Sequence, residues 1–418
     1  MISNFTIEES MGESTQVAIN RAKKIFRKYK NFIQNTEFAF ELEENMKKSI
    51  KKGIVSRLKE LEIAFDETDD KAIWKALSTC YKSYGFDNDK KHWERISKNV
   101  KKWIKNGTLS TDIDNRKNMY DLCMVLDMNI EETKEFFSKS FYTLAFNYKN
   151  RTDAIYYYCI NNHKSCSETQ KIIEIVGELN DDTVEDRNTF EIERQILDID
   201  NDEEFFEYVK KHCFSNGKQM RTARKTIRYL YEECEKRYRN GIDFEQMTRE
   251  KVEKKMRDNN TDNEDKIYNK EKTRKISQKE LINNIYGINI SKKGKKAFNG
   301  KIPDSVIKSL PMEEEISKIL NENEDKVSYE DLRKAIIILK FYEYYLDNVY
   351  DSRDDIEKAI DDFYSEINLE LTEVGYSILN VKHPFDWLIL YCAYKPEPIM
   401  SLRKYFRQKY EDTREHKE

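Results

Sequence analysis

The order of apolar and polar positions along the chain is helical almost throughout. Ile73, Trp74, Leu77 and Tyr81 share one side of a helix, and Trp93, Ile96, Val100 and Ile104 share one side of the next. Met119, Leu122, Cys123 and Leu126 recur at i, i+3, i+4, i+7. Asn129 followed by Glu132 opens a further helix as a variant capping box. The same spacing predicts helices over 14–65 (one or two), over 203–212, and over 277–285 behind a Ser277 cap. A helix over 167–179 is expected to open at Ser167. Glu313 to Leu320 reads as a short helix, and Leu332, Ala335, Ile336, Leu339 and Tyr342 form a strong core stripe. Helices over 353–366 and 387–394 follow, and Ser401 to Glu418 reads as a charged helix that frays. With helical spacing in each of these stretches, the expected class is all-α.

One stretch returns. Asn147, Lys149, Asp153, Tyr158 and Cys159 match Asn380, Lys382, Asp386, Tyr391 and Cys392 in one ungapped register, five identities in thirteen positions. Cys is rare here, with seven in the chain. The match therefore reads as an internal duplication of a turn followed by a helix. Asp153 and Asp386 are expected to cap those helices, and each Tyr-Cys pair is expected to face a core.

Composition changes the picture at three points. Only 5 Pro and 11 Gly interrupt 418 residues, which favours helix further. No apolar run approaches the roughly 18 residues of a membrane span. The seven Cys include no Cys-x-x-Cys, and the N-terminus carries no apolar signal core, so a reducing, cytoplasmic setting is expected. Net charge is a bland −4, yet residues 209–301 hold 26 Lys/Arg against 13 Asp/Glu. A basic middle between acidic flanks points to a polyanion, although a lysine-rich solvated surface has the same composition. The expected organisation is N-terminal amphipathic helices over 1–66, a helical module over 67–180, and a helical segment with a basic stripe over 181–240. A charged linker over 241–275 then leads to a second module over 276–418 that partly repeats the first.

The stretch WERISKNVKKWIKNGTLSTDIDNRKNMYDLCMVLDMNIEETKEFF resembles the later part of a Cro/C1-type (XRE-like) helix-turn-helix domain. The whole chain is similar to helix-turn-helix proteins from mobile elements of low-GC Gram-positive bacteria. The resemblance implies that Lys91 to Lys105 is a recognition helix, with Arg95, Lys98, Asn99 and Lys102 facing DNA. Independently, Arg221, Arg224, Lys225 and Arg228 lie at i, i+3, i+4, i+7, beside an apolar stripe of Ile227, Leu230, Tyr231 and Cys234. Such a helix docks by one face and displays four cations on another, and guanidinium groups suit phosphate. Lys292, Lys293, Lys295 and Lys296 follow Gly287 as a third basic cluster, read as a partial helix-turn-helix or as a helix and basic loop. Near the N-terminus, Arg21, Lys23, Lys24, Arg27, Lys28 and Lys30 flank Ile19, Ile25, Phe26 and Tyr29, which suits a packed helix or a membrane-surface one.

Catalytic signals are thin. No His-Glu-x-x-His, phosphate-cradling glycine loop or nucleophile elbow occurs, and the five His share no ligand spacing. Neither a metal nor a cofactor is expected. His383 and Asp386 are near enough in sequence to meet at a helix start, which reads first as a cap. The expected function is a non-enzymatic, nucleic-acid-binding regulator with DNA favoured as partner. The other reading is a helical scaffold, in phage defence, that binds another protein.

Overall fold

In the computed structural model, residues 13–88, 90–106, 113–141, 145–148, 150–177, 189–213, 215–259, 263–288, 302–321 and 329–415 are described. Among the described residues the regular elements are helices, as the all-α expectation had it. They enclose two hydrophobic cores.

The N-terminal helices do not stand apart. Helix α1 (Glu13–Gln34) ends where Asn35 caps α2 (Thr36–Glu60), its side chain accepting from the Glu37 amide at 2.9 Å. Phe26 and Ile33 of α1 are buried in one core with Phe38, Ala39 and Leu42 of α2, whereas Ile50, Ile54 and Leu58 further along α2 are buried in the other. Helix α2 thus serves both cores. It passes a π-helical turn, Phe137–Phe141, through Gly53, where an added Cβ would fall 2.5 Å from Ser140 Oγ and 2.7 Å from the Phe136 ring. The basic side of α1 is partly neutralised: Lys30 pairs with Glu357 at 3.2 Å and Arg27 with Asp361 at 3.6 Å.

The first core continues through α3 (Asp70–Ser83), α4 (Lys90–Asn106), α5 (Ile113–Val125), α6 (Ile130–Phe136), α7 (Arg151–Asn161), α8 (Cys166–Gly177), α9 (Thr189–Asp198) and α10 (Asp202–His212). Asn129 and Glu132 make the expected capping box of α6, each bond 2.9 Å. Helix α8 opens at Ser165 instead of Ser167: Ser165 accepts from the Glu168 amide while Glu168 accepts from the Ser165 amide.

The second core holds α11 (Asn216–Asn240), α14 (Gln278–Ile285), α15 (Asp304–Lys308), α16 (Glu313–Leu320), α17 (Tyr329–Tyr345), α18 (Arg353–Glu373), α19 (Pro384–Ala393) and α20 (Pro398–Glu415). The division between cores therefore falls between α10 and α11, not at 180. Nor does the C-terminal helix fray from its start, because Leu402, Arg403, Tyr405 and Phe406 are buried.

Segment 241–275, expected as a charged linker, is mostly helix: α12 (Ile242–Asn259) and α13 (Glu264–Thr273) pack on each other, and α12 on α11. Few apolar side chains are needed because ionic ties hold the pair. Tyr268 donates to Glu245 at 2.7 Å and Lys255 meets Glu271 at 2.5 Å, while Arg274 ties the end of α13 to Glu280 of α14.

The duplication is present in the backbone. The His383 amide donates to the Asn380 carbonyl at 2.8 Å, as the Asn150 amide does to the Asn147 carbonyl at 2.7 Å. In each copy an Asp carboxylate, Asp153 or Asp386, accepts the amide of Asn147 or Asn380 at 2.8 Å. Both Asp residues sit at the third helical position rather than at the cap, which is Asn150 in one copy and His383 in the other. Tyr158, Cys159, Tyr391 and Cys392 all face a core, as expected.

Candidate nucleic-acid interface

Helix α11 is amphipathic in the way its spacing requires. Ala223, Ile227, Leu230, Cys234 and Tyr238 are buried, chiefly against α17, where Cys234 Sγ donates to the Leu339 carbonyl at 3.2 Å. Tyr231, expected in that stripe, is half-buried at its margin. Arg221, Lys225 and Arg228 are exposed on the other side, and Arg224 is half-buried between the two faces. The three arginines also hold contacts within the protein. Three cations therefore reach solvent from a rigid, well-anchored helix.

Several other cations of the basic middle are paired within the protein. Arg237 pairs with Glu343, Arg239 with Glu235, Lys236 with Glu233 and Arg249 with Glu245. Glu280 shows the strength of this matching. Burial alone would raise its pKa, yet Arg274, Lys251 and Tyr238 hold it below the usual carboxylate value.

Helix α4 offers a second basic face. Ile96, Val100, Trp103 and Ile104 are buried, while Lys98 and Lys102 are exposed and Asn99 is half-buried. Arg95 lies on the same helix, and its side chain is outside the described residues. The Lys101 ammonium lies over the Trp74 ring, 5.0 Å from its centroid. Helix α3 packs on α4, joined by residues 84–89, in which Gly85 takes φ 79° before a 3-10 turn at Phe86–Asn88. That connection is longer than the three- or four-residue turn typical of a helix-turn-helix. Lys292, Lys293, Lys295 and Lys296 fall outside the described residues.

The most polar buried geometry is one that spacing did not expose. Arg116 of α5 grips Asp153, with Nε to Oδ1 at 2.9 Å and an Nη to Oδ2 at 2.6 Å, and also donates to the Ala145 carbonyl at 2.9 Å. Arg333 of α17 grips Asp386 at 2.9 and 2.7 Å and donates to the Ser377 and Ile378 carbonyls. Each bidentate brace thus pins a turn and the following helix to an earlier helix. Burial alone would lift the pKa of Asp386, but Arg333 and His383 hold it well below the carboxylate range. His383 Nδ1 stands 3.4 Å from Asp386 and its Nε2 3.8 Å from Glu330. With both oxygens of Asp386 committed to Arg333 and a backbone amide, this group is a structural clasp and not a proton-transfer pair.

Fold and surface together define an all-α protein built from two related helical modules, with cationic helix faces as its most distinctive exposed chemistry. No family model, no curated protein and no solved structure matches the chain.

Proposed function

We propose that this protein is a non-enzymatic, nucleic-acid-binding regulator whose principal phosphate contact is the outer face of α11, with α4 as a second contact and DNA as the favoured partner. The carrying observation is that Arg221, Lys225 and Arg228 are exposed on a helix anchored on its other side by the buried Ala223, Ile227, Leu230, Cys234 and Tyr238. Cations on an anchored helix face would exchange their contacts within the protein for phosphates, and each neutralised phosphate releases counterions. The resemblance of residues 93–137 to a Cro/C1-type domain agrees with this reading, and Lys98 and Lys102 are exposed where it would need them.

The test is binding of labelled DNA and RNA at several salt concentrations, for the wild type and for Arg221→Gln/Arg224→Gln/Lys225→Gln/Arg228→Gln. The expected result is weaker binding across sequences alike, with a log–log salt slope reduced by up to about 3–4, at roughly 0.9 per lost duplex phosphate contact. An unchanged slope with measurable affinity would move the site to α4 or to Lys292–Lys296. Absence of affinity in the wild type would overturn the reading.

A second reading, a protein-interaction scaffold, draws on one observation. Ile242 is 72% and Val349 63% exposed, and the corners that carry them meet where Asp347 closes on Gly241. Exposed aliphatic side chains gathered at one end of a helical stack suit a protein partner.

A further inference from the structure

We infer that the α11 face takes an unpaired nucleobase on Tyr229 and so binds single-stranded nucleic acid in preference to duplex; this rests on the nucleic-acid reading above. Tyr229 is 56% exposed, in a chain whose other aromatic rings mostly fill the two cores. Among the described residues it makes no ring contact. It lies one turn beyond Lys225 and next to Arg228, with Arg221 two turns back. On its other side come Glu232, exposed, and Glu233, which pairs with Lys236 at 2.5 Å.

Beyond Tyr229 the cationic run gives way to a mixed surface, in which Glu233 pairs with Lys236 and Glu235 with Arg239. A polyanion laid along the helix is drawn to residues 221–228, a span of about 10.5 Å at 1.5 Å per residue. Beyond it the exposed Glu232 and the paired Glu233 and Glu235 offer no comparable cationic run. The aromatic ring stands at the end of that cationic run. A duplex keeps its bases stacked inside and would present only sugar and phosphate to that ring. A single strand can rotate one base outward and lay it on the phenol face while its phosphates stay with the cations, which is the combination single-strand binders use. Every base has a π face, so the site tolerates sequence. DNA and RNA share this chemistry.

The test uses the full chain and fluorescein-labelled oligothymidine, oligouridine and mixed-sequence duplex, each about 15 nucleotides or base pairs long, near the upper end of known single-strand site sizes. Anisotropy is measured for the wild type, Tyr229→Phe and Tyr229→Ala. Expected is tighter binding of the single strands than of the duplex. Tyr229→Ala should weaken single-strand binding about 5- to 150-fold, the usual worth of one stacked base. Tyr229→Phe should keep it, and duplex affinity and the salt slope should stay as in the wild type. Oligothymidine against oligouridine decides between DNA and RNA. Circular dichroism and thermal melting confirm that both variants fold. If Tyr229→Ala leaves single-strand affinity intact while the fourfold Gln variant loses it, the stacking inference is overturned and the phosphate site stands. If the wild type binds neither form, both fall together.

Discussion

Replacing Arg333 with Met should be among the most damaging single changes in this protein. Arg333 and Asp386 side chains are 4% and 1% exposed, so Met would leave a carboxylate sealed in the second core with its main countercharge gone. Breaking a buried pair from one side costs about 3–5 kcal/mol. The expected loss lies in that range, tempered by the Asn380 amide and His383, which still face Asp386. Arg116→Met should cost less, because Arg116 is 14% exposed and water can reach the abandoned Asp153 more easily. Replacing both partners, Arg333→Met with Asp386→Leu, should be milder than Arg333→Met alone. It removes the stranded charge and leaves the Asn380 amide and the Ser377 and Ile378 carbonyls without these partners, at about 1–3 kcal/mol for each buried group left unsatisfied. Urea unfolding followed by hydrogen–deuterium exchange, read peptide by peptide, separates the cores. Arg333→Met should loosen α17 and α19 first, and Arg116→Met should loosen α5 and α7. If Arg333→Met shifts the urea midpoint no more than an ordinary surface change, or the double variant is worse than the single, the braces are not what pins these helices.

Two further outcomes follow from the same burial. Asp386 is depressed in the folded state, so its stabilising contribution is full above the unfolded carboxylate value of about 4 and is lost as pH falls below it. The stability gap between wild type and Asp386→Asn should be constant from about pH 5 to 8 and should narrow below about pH 4; a gap that widens on acidification contradicts the assignment. Burial pushes the Cys159 thiol up to about 12 and the Cys392 thiol higher still, and both are fully buried. Native protein should therefore resist maleimide at these two sites until urea is added; rapid native labelling of either, mapped by mass spectrometry, would show its packing to be wrong.

The helices were legible because burial follows the 3.6-residue period so closely, as in α11 and α4. The duplication was legible in its second half, where the register is ungapped. Its first half was not. Arg116 lies 37 residues before Asp153, but Arg333 lies 53 before Asp386, in part because α18 is longer than α6 and the π turn together. A faint signal did exist: both arginines precede a Lys, and both have Leu six positions on. The linker was misread for a physical reason. Apolar periodicity is the signal for packing, and α12 and α13 are tied by Tyr268–Glu245 and Lys255–Glu271 instead. The cationic face of α11 was visible from spacing alone. Tyr229 was not, because an aromatic ring in a helix is expected inside until the buried stripe beside it is seen to be complete without it.

The two copies also show what duplication left free to change. Both keep the Asp, its Arg and the backbone amide it accepts, because that set closes a buried charge on itself. Around it the start of the helix was rebuilt. In the first copy Asn150 caps α7 through the Asp153 amide at 3.2 Å, and Arg151 reaches the Cys213 carbonyl at 3.1 Å, tying α7 to the end of α10. In the second, Pro384 stands where Arg151 does, needs no amide partner at the first helical position, and leaves His383 to approach Asp386 from the side. The neighbours changed with these residues: α7 is held by a side chain to the last helix of its own core, whereas α19 packs on α1 and α2 from the far end of the chain. The shared brace therefore fixes each turn, and the unshared residues decide which distant helix is gathered onto it.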